Sequence, residues 1–289
     1  MNQGLANRLA PGLPRADTPV AILMAVHHGA DPMHFDASLA SLRSQIDTRI
    51  RMFVFCDGPL PPTHEAVLAK YMAPVSGDVV IRSAVSEGLP SALNALIDRA
   101  LLDTDVEVLA RMDADDLSMP TRLSRQIAFL QEHPTVDVVG TWCIEFEEPD
   151  KPLFHKRLPT EHDEVLDFMV CRSPLAHPTV MFRRGVFDAG HRYDTRLQQM
   201  QDYELWSRLV RTGIVISNVP EYLLWYRMAD GFFKRRSGLG RAIKEIHMRI
   251  VFASAMKLLR PVHLFKLAAL FLARIVPERL KHFAYMRMR

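Results

Sequence analysis

Three aspartates crowd into four residues, at Asp113, Asp115 and Asp116, where an apolar run ends shortly before Pro120. Carboxylates this close repel one another and raise one another's pKa unless a positive charge lies between them. Residues i and i+2 of a turn can point the same way, so Asp113 and Asp115 can share a divalent cation. Asp116 would then face elsewhere, for example to cap the helix that begins near Pro120. Hard oxygen ligands favour Mg2+ or Mn2+, and the alternative is a solvated surface turn.

Two more aspartates are candidates for chemistry. Asp57 follows the apolar run "MFVFC" and begins an Asp-Gly-Pro turn, so it either forms this turn or accepts a hydrogen bond from a nucleobase at the mouth of a sheet. Asp202 lies in the first turn of an amphipathic helix, where the helix dipole stabilises a negative charge. The same position suits a general base that takes a proton from a hydroxyl. Local sequence leaves both alternatives open for each residue.

Histidines and basic residues offer a second set of candidates. The histidines show no HxH or HxxxH spacing, so a histidine metal centre is not expected. His177 precedes Pro178 and is either a structural histidine at a strand end or a residue near a substrate. Lys234, Arg235 and Arg236 form either a solvated basic loop or a loop that closes over phosphates, which Lys and Arg bind well.

Composition narrows the class of protein. The 289 residues are 48% hydrophobic, which is enough for the core of a globular protein. The three cysteines are far apart and outside any metal-ligand spacing, so we expect a reducing, cytoplasmic setting rather than a disulfide framework. The first residues do not resemble a signal peptide, and no stretch of about 18 uncharged apolar residues occurs. From Arg241 to Arg289 there are eleven Lys or Arg residues and two Glu residues, so the positive charge is concentrated there.

Strands and helices alternate in the first half of the chain. Strands are expected at Pro19–Val26, Arg49–Phe55 and Val106–Met112, with helices at Met33–Gln45 and Gly88–Leu102 between them. This alternation predicts an α/β protein with a mainly parallel central sheet flanked by helices. Ligands bind such sheets beyond the carboxyl ends of the strands. The candidate residues at these ends are Val26, His27, Asp57, Asp113 and Asp115.

The second half is expected to continue the same domain. It contains predicted strands at Val136–Glu148 and His177–Arg184, a helix at Gln201–Gly213, and two further strands, "IVISNV" and "YLLWYRM". We expect a flexible leader at residues 1–18, one main domain at residues 19–238 and a helical basic tail at residues 239–289. The tail mixes apolar residues with regularly spaced Lys and Arg. It either lies in the headgroup layer of an anionic membrane or packs on the domain as a helical pair.

Taken together, six motifs in order resemble a family 2 glycosyltransferase with the GT-A fold. They are "VAILMAVHHGAD", "FVFCDGP", "EGLPSALN", "ARMDADDLSMPTRL", "HPTVMFRR" and "QDYELWSRL". The resemblance runs from about Val20 to Arg236. The stretches "CDGPL", "KRLPTEHDEV" and "GFFKRRSGL" are also similar to the subgroup that builds bacterial exopolysaccharides of the amylovoran type.

The resemblance implies a metal-dependent hexosyltransferase that uses Mn2+ or Mg2+. It would move a sugar from a nucleoside-diphosphate donor, such as a UDP-sugar, to a saccharide hydroxyl with inversion at the anomeric carbon. The acceptor is expected to be lipid-linked, which places the enzyme in cell-surface polysaccharide biosynthesis, peripheral on the inner face of the cell membrane.

The resemblance also assigns roles to individual residues. Asp57 would contact the base of the nucleotide, Asp113 the ribose or the metal, and Asp115 the metal, while Asp202 would be the general base. The other residues expected at the site are Val26, His27, Lys234, Arg235 and Arg236 on the donor side and His177 and Gln201 on the acceptor side.

Three positions depart from the family pattern. Cys56 stands where many relatives carry an aspartate, Gln201 replaces the acid beside Asp202, and Ala229 stands where a histidine often follows the "YR" strand. A non-catalytic relative that binds sugar nucleotides is therefore one alternative. A nucleotidyltransferase that forms sugar nucleotides is another, although "HHGADPMHF" offers no Lys or Arg for a triphosphate loop. No nucleic-acid partner is expected, because no recognisable module accompanies the basic tail.

Overall fold

A computed structural model describes residues 19–72, 76–228 and 238–275, without the side chains of residues 273–275. Several expectations lie outside these residues. They concern the flexible leader at residues 1–18, the departure at Ala229, the end of the tail at residues 276–289 and the basic residues Lys234, Arg235 and Arg236.

The first half of the chain forms a parallel sheet. Its strands are apolar on both faces because helices cover both sides of the sheet. Asp31 caps the first helix by accepting a hydrogen bond from the Met33 N–H at 2.8 Å. The strand order is β3-β2-β1-β4, and every neighbouring pair is parallel. The elements are β1 (Val20–His27), α1 (Pro32–Arg43), β2 (Ile50–Asp57), α2 (Pro62–Tyr71), β3 (Val79–Arg82), α3 (Leu89–Ala100) and β4 (Val108–Arg111).

The second half extends this sheet with mixed pairings. The order continues from β4 through β8, β6 and β9 to β5, and β7 pairs with β6. Only β6 and β9 are parallel in this half, so the mainly parallel arrangement belongs to the first half. The elements are β5 (Leu117–Ser118), α4 (Arg122–Glu132), β6 (Val138–Phe146), β7 (Pro152–Lys156), α5 (His162–Met169), β8 (Met181–Arg183), α6 (Arg184–Asp188), α7 (Gln201–Arg211), β9 (Ile216–Arg227), α8 (Leu239–Ala255) and α9 (Pro261–Ile275).

Two predicted strands differ from the observed ones. "IVISNV" and "YLLWYRM" lie in the single strand β9, whose register against β6 shifts beside Trp142. The segment predicted as a strand from His177 begins instead as a 3-10 turn, His177–Thr179, before β8. Pro178 lacks the N–H that a strand ladder needs, which favours the turn.

The sheet divides the interior into two apolar cores. Along β1, Ala21 and Leu23 face a core that also contains Trp206 of α7, whereas Ile22 and Met24 face a second core beneath α1 and α4. This alternation is the two-residue period of a strand that is covered on both faces. The strand ends that carry the candidate site are therefore held from both sides.

The expected helical tail is present as α8 and α9, and α8 packs on the rest of the protein. Phe252 and Ala253 are completely buried in the core that contains Trp206. Arg249, buried beside Glu245, donates a hydrogen bond to the Met169 carbonyl at 3.1 Å. The boundary after residue 238 stays a prediction, but core packing continues across it. Among the described residues, no helix has the length and apolar character needed to cross a membrane.

Gln126 joins three elements through buried hydrogen bonds. Its amide nitrogen donates to the carbonyls of Val139 at 3.1 Å and Thr179 at 2.8 Å, and its amide oxygen accepts from Arg122 Nε at 3.1 Å. Arg122 in turn donates to the Arg111 carbonyl at 2.7 Å, at the end of β4. The start of α4 is thereby fixed to the strand that leads into the three aspartates.

We predict that Gln126→Met lowers the free energy of unfolding by about 2–3 kcal/mol, because buried polar groups lose their partners while the volume is nearly kept. Urea unfolding followed by circular dichroism measures this. Glu132→Met, an exposed change on the same helix, is the control and is expected to stay within about 0.5 kcal/mol of the parent protein. Equal stabilities of the two variants would contradict the role given to Gln126.

Candidate active site

Asp113, Asp115 and Asp116 lie together directly after β4, and Asp116 joins the cluster that the sequence expected from Asp113 and Asp115 alone. One carboxylate oxygen of each lies within 4.8 Å of those of the other two. The turn is anchored to neighbouring elements, because Met112 N–H donates to the Leu23 carbonyl at 3.1 Å and Ser38 Oγ donates to the Asp113 carbonyl at 3.0 Å. The carboxylates therefore gather on a turn whose backbone is fixed by β1 and α1.

Arg111 is a buried counterion that the sequence interpretation missed. It lies at the end of β4, is 2% exposed and forms an ion pair with Asp113 through Nη2. Its Nε and Nη1 atoms are buried without a hydrogen-bond partner among the described residues. A signal was present in the sequence, since an arginine interrupts the apolar run "VLARM" and a buried charge needs a partner.

Asp116 does not cap the helix near Pro120, so this expectation is wrong. It is 1% exposed, and its Oδ1 accepts a hydrogen bond from the backbone N–H of Arg227 at 2.7 Å. The Arg227 guanidinium donates to the Asp115 carbonyl at 2.9 Å and lies over the Phe146 ring, 4.4 Å from its centroid. Asp116 turns toward β9 because this strand end supplies a buried donor.

The site has an excess of buried negative charge. Burial, together with the nearby Asp113 carboxylate, raises the pKa of Asp115 to about 6. Burial, together with the Asp113 and Asp115 carboxylates, raises the pKa of Asp116 well above its usual value. Its Oδ2 atom has no hydrogen-bond partner among the described residues. A divalent cation would relieve both conditions, so the residues present fit a hard metal ion.

Asp57 holds a loop at the adjacent strand end. Its carboxylate accepts hydrogen bonds from Ser86 Oγ at 2.9 Å, Glu87 N–H at 2.6 Å and Gly88 N–H at 3.2 Å. Asp57 therefore does more than begin the Asp-Gly-Pro turn, because it also holds the distant loop at residues 86–88. Both carboxylate oxygens accept hydrogen bonds from this loop. Direct contact of Asp57 with a nucleobase stays a prediction.

A cavity of about 370 Å³ opens beside this loop. One wall is the ion pair between Arg82 and Glu65, whose closest atoms are 2.7 Å apart. Burial raises the pKa of the Cys56 thiol to about 11, so this residue contributes a neutral group to the cavity. The residues that line the cavity are Cys56, Gly58, Pro59, Leu60, Glu65, Arg82, Ser83 and Ala84.

Val26 and His27 end β1 beside Asp57. The Val26 side chain is 1% exposed and belongs to the core, which leaves its backbone for any donor contact. His27 is exposed, is paired in register with Asp57 and accepts a hydrogen bond from Gly29 N–H at 3.0 Å. The two residues lie at the expected strand end, and their donor contacts stay predictions.

Asp202 lies at the start of α7, half-buried, with no hydrogen bond or ion pair to any of the residues the structure describes. It contributes to the raised pKa of the Tyr193 hydroxyl, whose main cause is burial. Tyr193 was missed in the sequence, and its hydroxyl lies 2.9 Å from His177 Nε2. An unpaired carboxylate beside a neutral pair of this kind can accept a proton.

His177 and Gln201 are the two residues expected on the acceptor side. The ring of His177 lies 6.0 Å from that of Trp206, and burial, assisted by the charge of Arg111, lowers the pKa of His177 well below its usual value. His177 is thus held neutral. The Gln201 side-chain oxygen is buried without a partner among the described residues. Gln201 is next to Asp202 in the sequence, and His177 contacts Tyr193, whose hydroxyl senses the Asp202 charge; their acceptor-side role stays a prediction.

Gly88 lies where the loop held by Asp57 meets the segment that leads into Asp202. Its φ of +84° lies in the region that favours glycine, and a Cβ there would collide with the Gln198 side chain. Gln198 precedes Met200, which has a positive φ of 60° immediately before α7. The loop that Asp57 holds therefore contacts the segment that leads into Asp202.

These features define a class of protein. A sheet with this strand order, an aspartate cluster after β4 and an unpaired carboxylate on α7 form the framework of a GT-A glycosyltransferase. The family model described as glycosyl transferase family 2 matches residues 34–190, more than half of the chain. The chain therefore belongs to glycosyl transferase family 2.

Individual relatives agree with this assignment. The amylovoran biosynthesis glycosyltransferase AmsE of Erwinia amylovora is 29% identical over 228 residues, which cover 79% of this chain and 83% of that protein. The UDP-Gal:alpha-D-GlcNAc-diphosphoundecaprenol beta-1,3-galactosyltransferase of Escherichia coli is 23% identical over 279 residues, covering 94% and 97%. The fold is similar to that of the mannosyltransferase PcManGT from Pyrobaculum calidifontis, solved with GDP-Man and Mn2+, with a TM-score of 0.59, 16% identity and coverage of 89% and 75%.

We predict that Asp115→Asn stabilises the metal-free protein more at pH 7.5 than at pH 5.0. The pKa of Asp115 is raised in the folded state, so ionisation costs stability above about pH 6 and nothing below its unfolded value near 4. The expected gain at pH 7.5 is about 1–3 kcal/mol, measured by urea unfolding in EDTA. A difference between variant and parent that does not change with pH would contradict this electrostatic description.

Proposed function

We propose that the protein is an inverting glycosyltransferase that moves a sugar from a nucleoside-diphosphate donor to a saccharide hydroxyl. The observation that carries this proposal is the half-buried aspartate cluster after β4 together with Asp202, which starts α7 without a partner among the described residues. One group suits the diphosphate end of a donor, and the other suits the hydroxyl that attacks it.

Asp115 and Asp113 would hold a Mn2+ or Mg2+ ion. When bound, such an ion neutralises charge on the departing nucleoside diphosphate. The protein itself supplies positive charge beside these carboxylates, since Arg111 pairs with Asp113 and Arg227 contacts the Asp115 carbonyl. Asp116 would fix the position of the turn by accepting a hydrogen bond from the Arg227 backbone N–H.

The donor would lie across the ends of β1, β2 and β4. We assign its base to the region around Asp57, the backbone of Val26, His27 and the cavity lined by Arg82. The UDP-Gal in the name of the Escherichia coli relative supports uridine as the nucleoside. Lys234, Arg235 and Arg236, which lie outside the described residues, remain candidates for phosphate contact.

Asp202 would act as the general base. Its carboxylate takes the proton of the acceptor hydroxyl as the hydroxyl oxygen bonds to the anomeric carbon. The bond from that carbon to the diphosphate breaks on the opposite face, and its electron pair leaves with the nucleoside diphosphate, so the configuration inverts. The neutral His177 and Tyr193 pair adds no competing positive charge near this carboxylate, and with Gln201 it would orient the acceptor.

The acceptor is proposed to be a lipid-linked saccharide in cell-surface polysaccharide biosynthesis. The diphosphoundecaprenol acceptor in the name of the Escherichia coli relative and the amylovoran biosynthesis in the name of the Erwinia relative support this step. The protein would work peripherally at the inner face of the cell membrane, where such acceptors and nucleotide sugars meet.

We predict metal-dependent binding of UDP, measured by calorimetric titration in Mn2+ and again in EDTA. GDP, dTDP and CMP are the comparison ligands. Asp115→Asn is expected to remove the metal dependence, because the ion loses a carboxylate ligand. Binding of another nucleotide in place of UDP would change the proposed donor, and binding of none would contradict the proposed nucleotide site.

We predict that Asp202→Asn lowers kcat by about 10²–10⁴ while leaving donor affinity unchanged, because an amide cannot accept the hydroxyl proton. The rate of nucleoside-diphosphate release with a saccharide acceptor measures kcat. Asp163→Asn is the control, since Asp163 lies in the first turn of α5 and shares the favourable helix-dipole position without a place at the site. Equal activity of the two variants would reduce Asp202 to a helix-stabilising residue.

A further inference from the structure

Helix α9 has a buried face and an exposed apolar face. Leu267 and His263 are buried and attach the helix to the domain. Nearly opposite them, Val262, Phe265 and Leu272 follow the spacing of one helical face and point to solvent, with Phe265 76% and Leu272 58% exposed. A helix that only packs on a domain needs one apolar face, so the outer face requires another explanation.

The neighbouring helix repeats the pattern. In α8, Phe252 lies in the core, while Leu239, Ile243 and Ile250 recur on the side turned to solvent, and Ile243 is 54% exposed. Exposed apolar residues clustered on adjacent elements mark interaction sites more often than the scattered ones normal for a protein surface. We define the outer face as Leu239, Ile243, Ile250, Val262, Phe265 and Leu272.

The exposed charges that α8 and α9 themselves carry have one sign. Between residues 239 and 275 the sequence contains seven Lys or Arg residues and one acid, Glu245. Glu245 is buried and pairs with Arg249, so it adds no exposed negative charge. The exposed Lys244, Lys257 and Lys266 are positive, as is Arg260, whose closest acid is Asp167 at 3.6 Å.

We propose that the outer face of α8 and α9 docks on an anionic lipid bilayer surface. Apolar side chains would enter the headgroup layer while the flanking lysines meet anionic headgroups, each basic residue contributing on the order of 1 kcal/mol. Two copies of the chain meeting through this face would bring positive charges together, which disfavours self-association. The proposal rests on the proposed function for its purpose, since a surface-bound enzyme would meet a lipid-linked acceptor.

The proposed contact differs from the docking expected from the sequence. The sequence offered membrane docking and packing on the domain as alternatives for the tail. In the structure, one face of each helix packs on the domain, and the opposite face is exposed among the described residues. The contact surface is therefore presented by a rigid part of the protein, anchored through Phe252 and Leu267.

The test is flotation of the full-length protein with vesicles, without donor or acceptor. Vesicles of phosphatidylglycerol and phosphatidylcholine are compared with vesicles of phosphatidylcholine alone. The parent protein is expected to float with the anionic vesicles and to be released by high salt. Phe265→Ser combined with Leu272→Ser is expected to weaken binding by about tenfold or more, because two apolar side chains lose their burial.

Met33→Ser combined with Leu102→Ser is the matched control, because both residues are exposed and apolar but lie far from α8 and α9 in the sequence. It is expected to float like the parent protein. Failure of the parent protein to bind, or equal binding by both double variants, would overturn the proposal. A concentration-dependent dimer that only the α9 variant abolishes would also overturn it, in favour of a self-interface. If the parent protein floats with anionic vesicles but shows no transferase activity in a separate assay, that result counts against the proposed function and leaves the docking proposal intact.

Discussion

The charge balance at the end of β4 is the constraint on which the site depends. Three carboxylates share one turn, and two arginines from different strands contact this turn. Arg111 is the last residue of β4, and Arg227 is the last residue of β9. Without these groups, burial of Asp115 and Asp116 would carry the full cost of desolvated like charges. The placement of β9 is thus an electrostatic requirement as well as a packing one.

This requirement connects the two halves of the sheet. β9 pairs with β6 along most of its length and with β5, the two-residue strand directly after Asp116. The short β5 therefore brings the aspartate turn beside the backbone N–H of Arg227. On the other side, Asp57 holds the loop at Gly88, which contacts the segment before α7. The candidate donor and acceptor sides are therefore joined through the Asp57 carboxylate, Gly88 and the Gln198 side chain.

Parts of this arrangement could be predicted from local sequence. The continuous apolar runs identified β1, β2 and β4, and the close spacing of Asp113 and Asp115 identified the turn, because both signals lie within a few residues. The partner of Asp116 could not be found this way, since Arg227 lies 111 residues further along the chain. The antiparallel pairing of β4 with β8 is similarly long-range. Arg111 was detectable in principle as a charge within an apolar strand, but its partner required the geometry of the turn.

The tail shows why a local pattern can leave two physical solutions open. A helix that is apolar on opposite faces matches both a packed helix and a surface-seeking one, and periodicity alone cannot separate them. In the structure α8 packs beside α7: Arg249 lies over the Tyr203 ring, 4.6 Å from its centroid, and the Phe252 ring lies 6.3 Å from it. Tyr203 is next to Asp202 in the sequence. In the proposed reaction, an acceptor held by its lipid in the bilayer would therefore meet a base whose helix is packed against the docking element, so that docking would also restrict the orientation of the site toward the membrane.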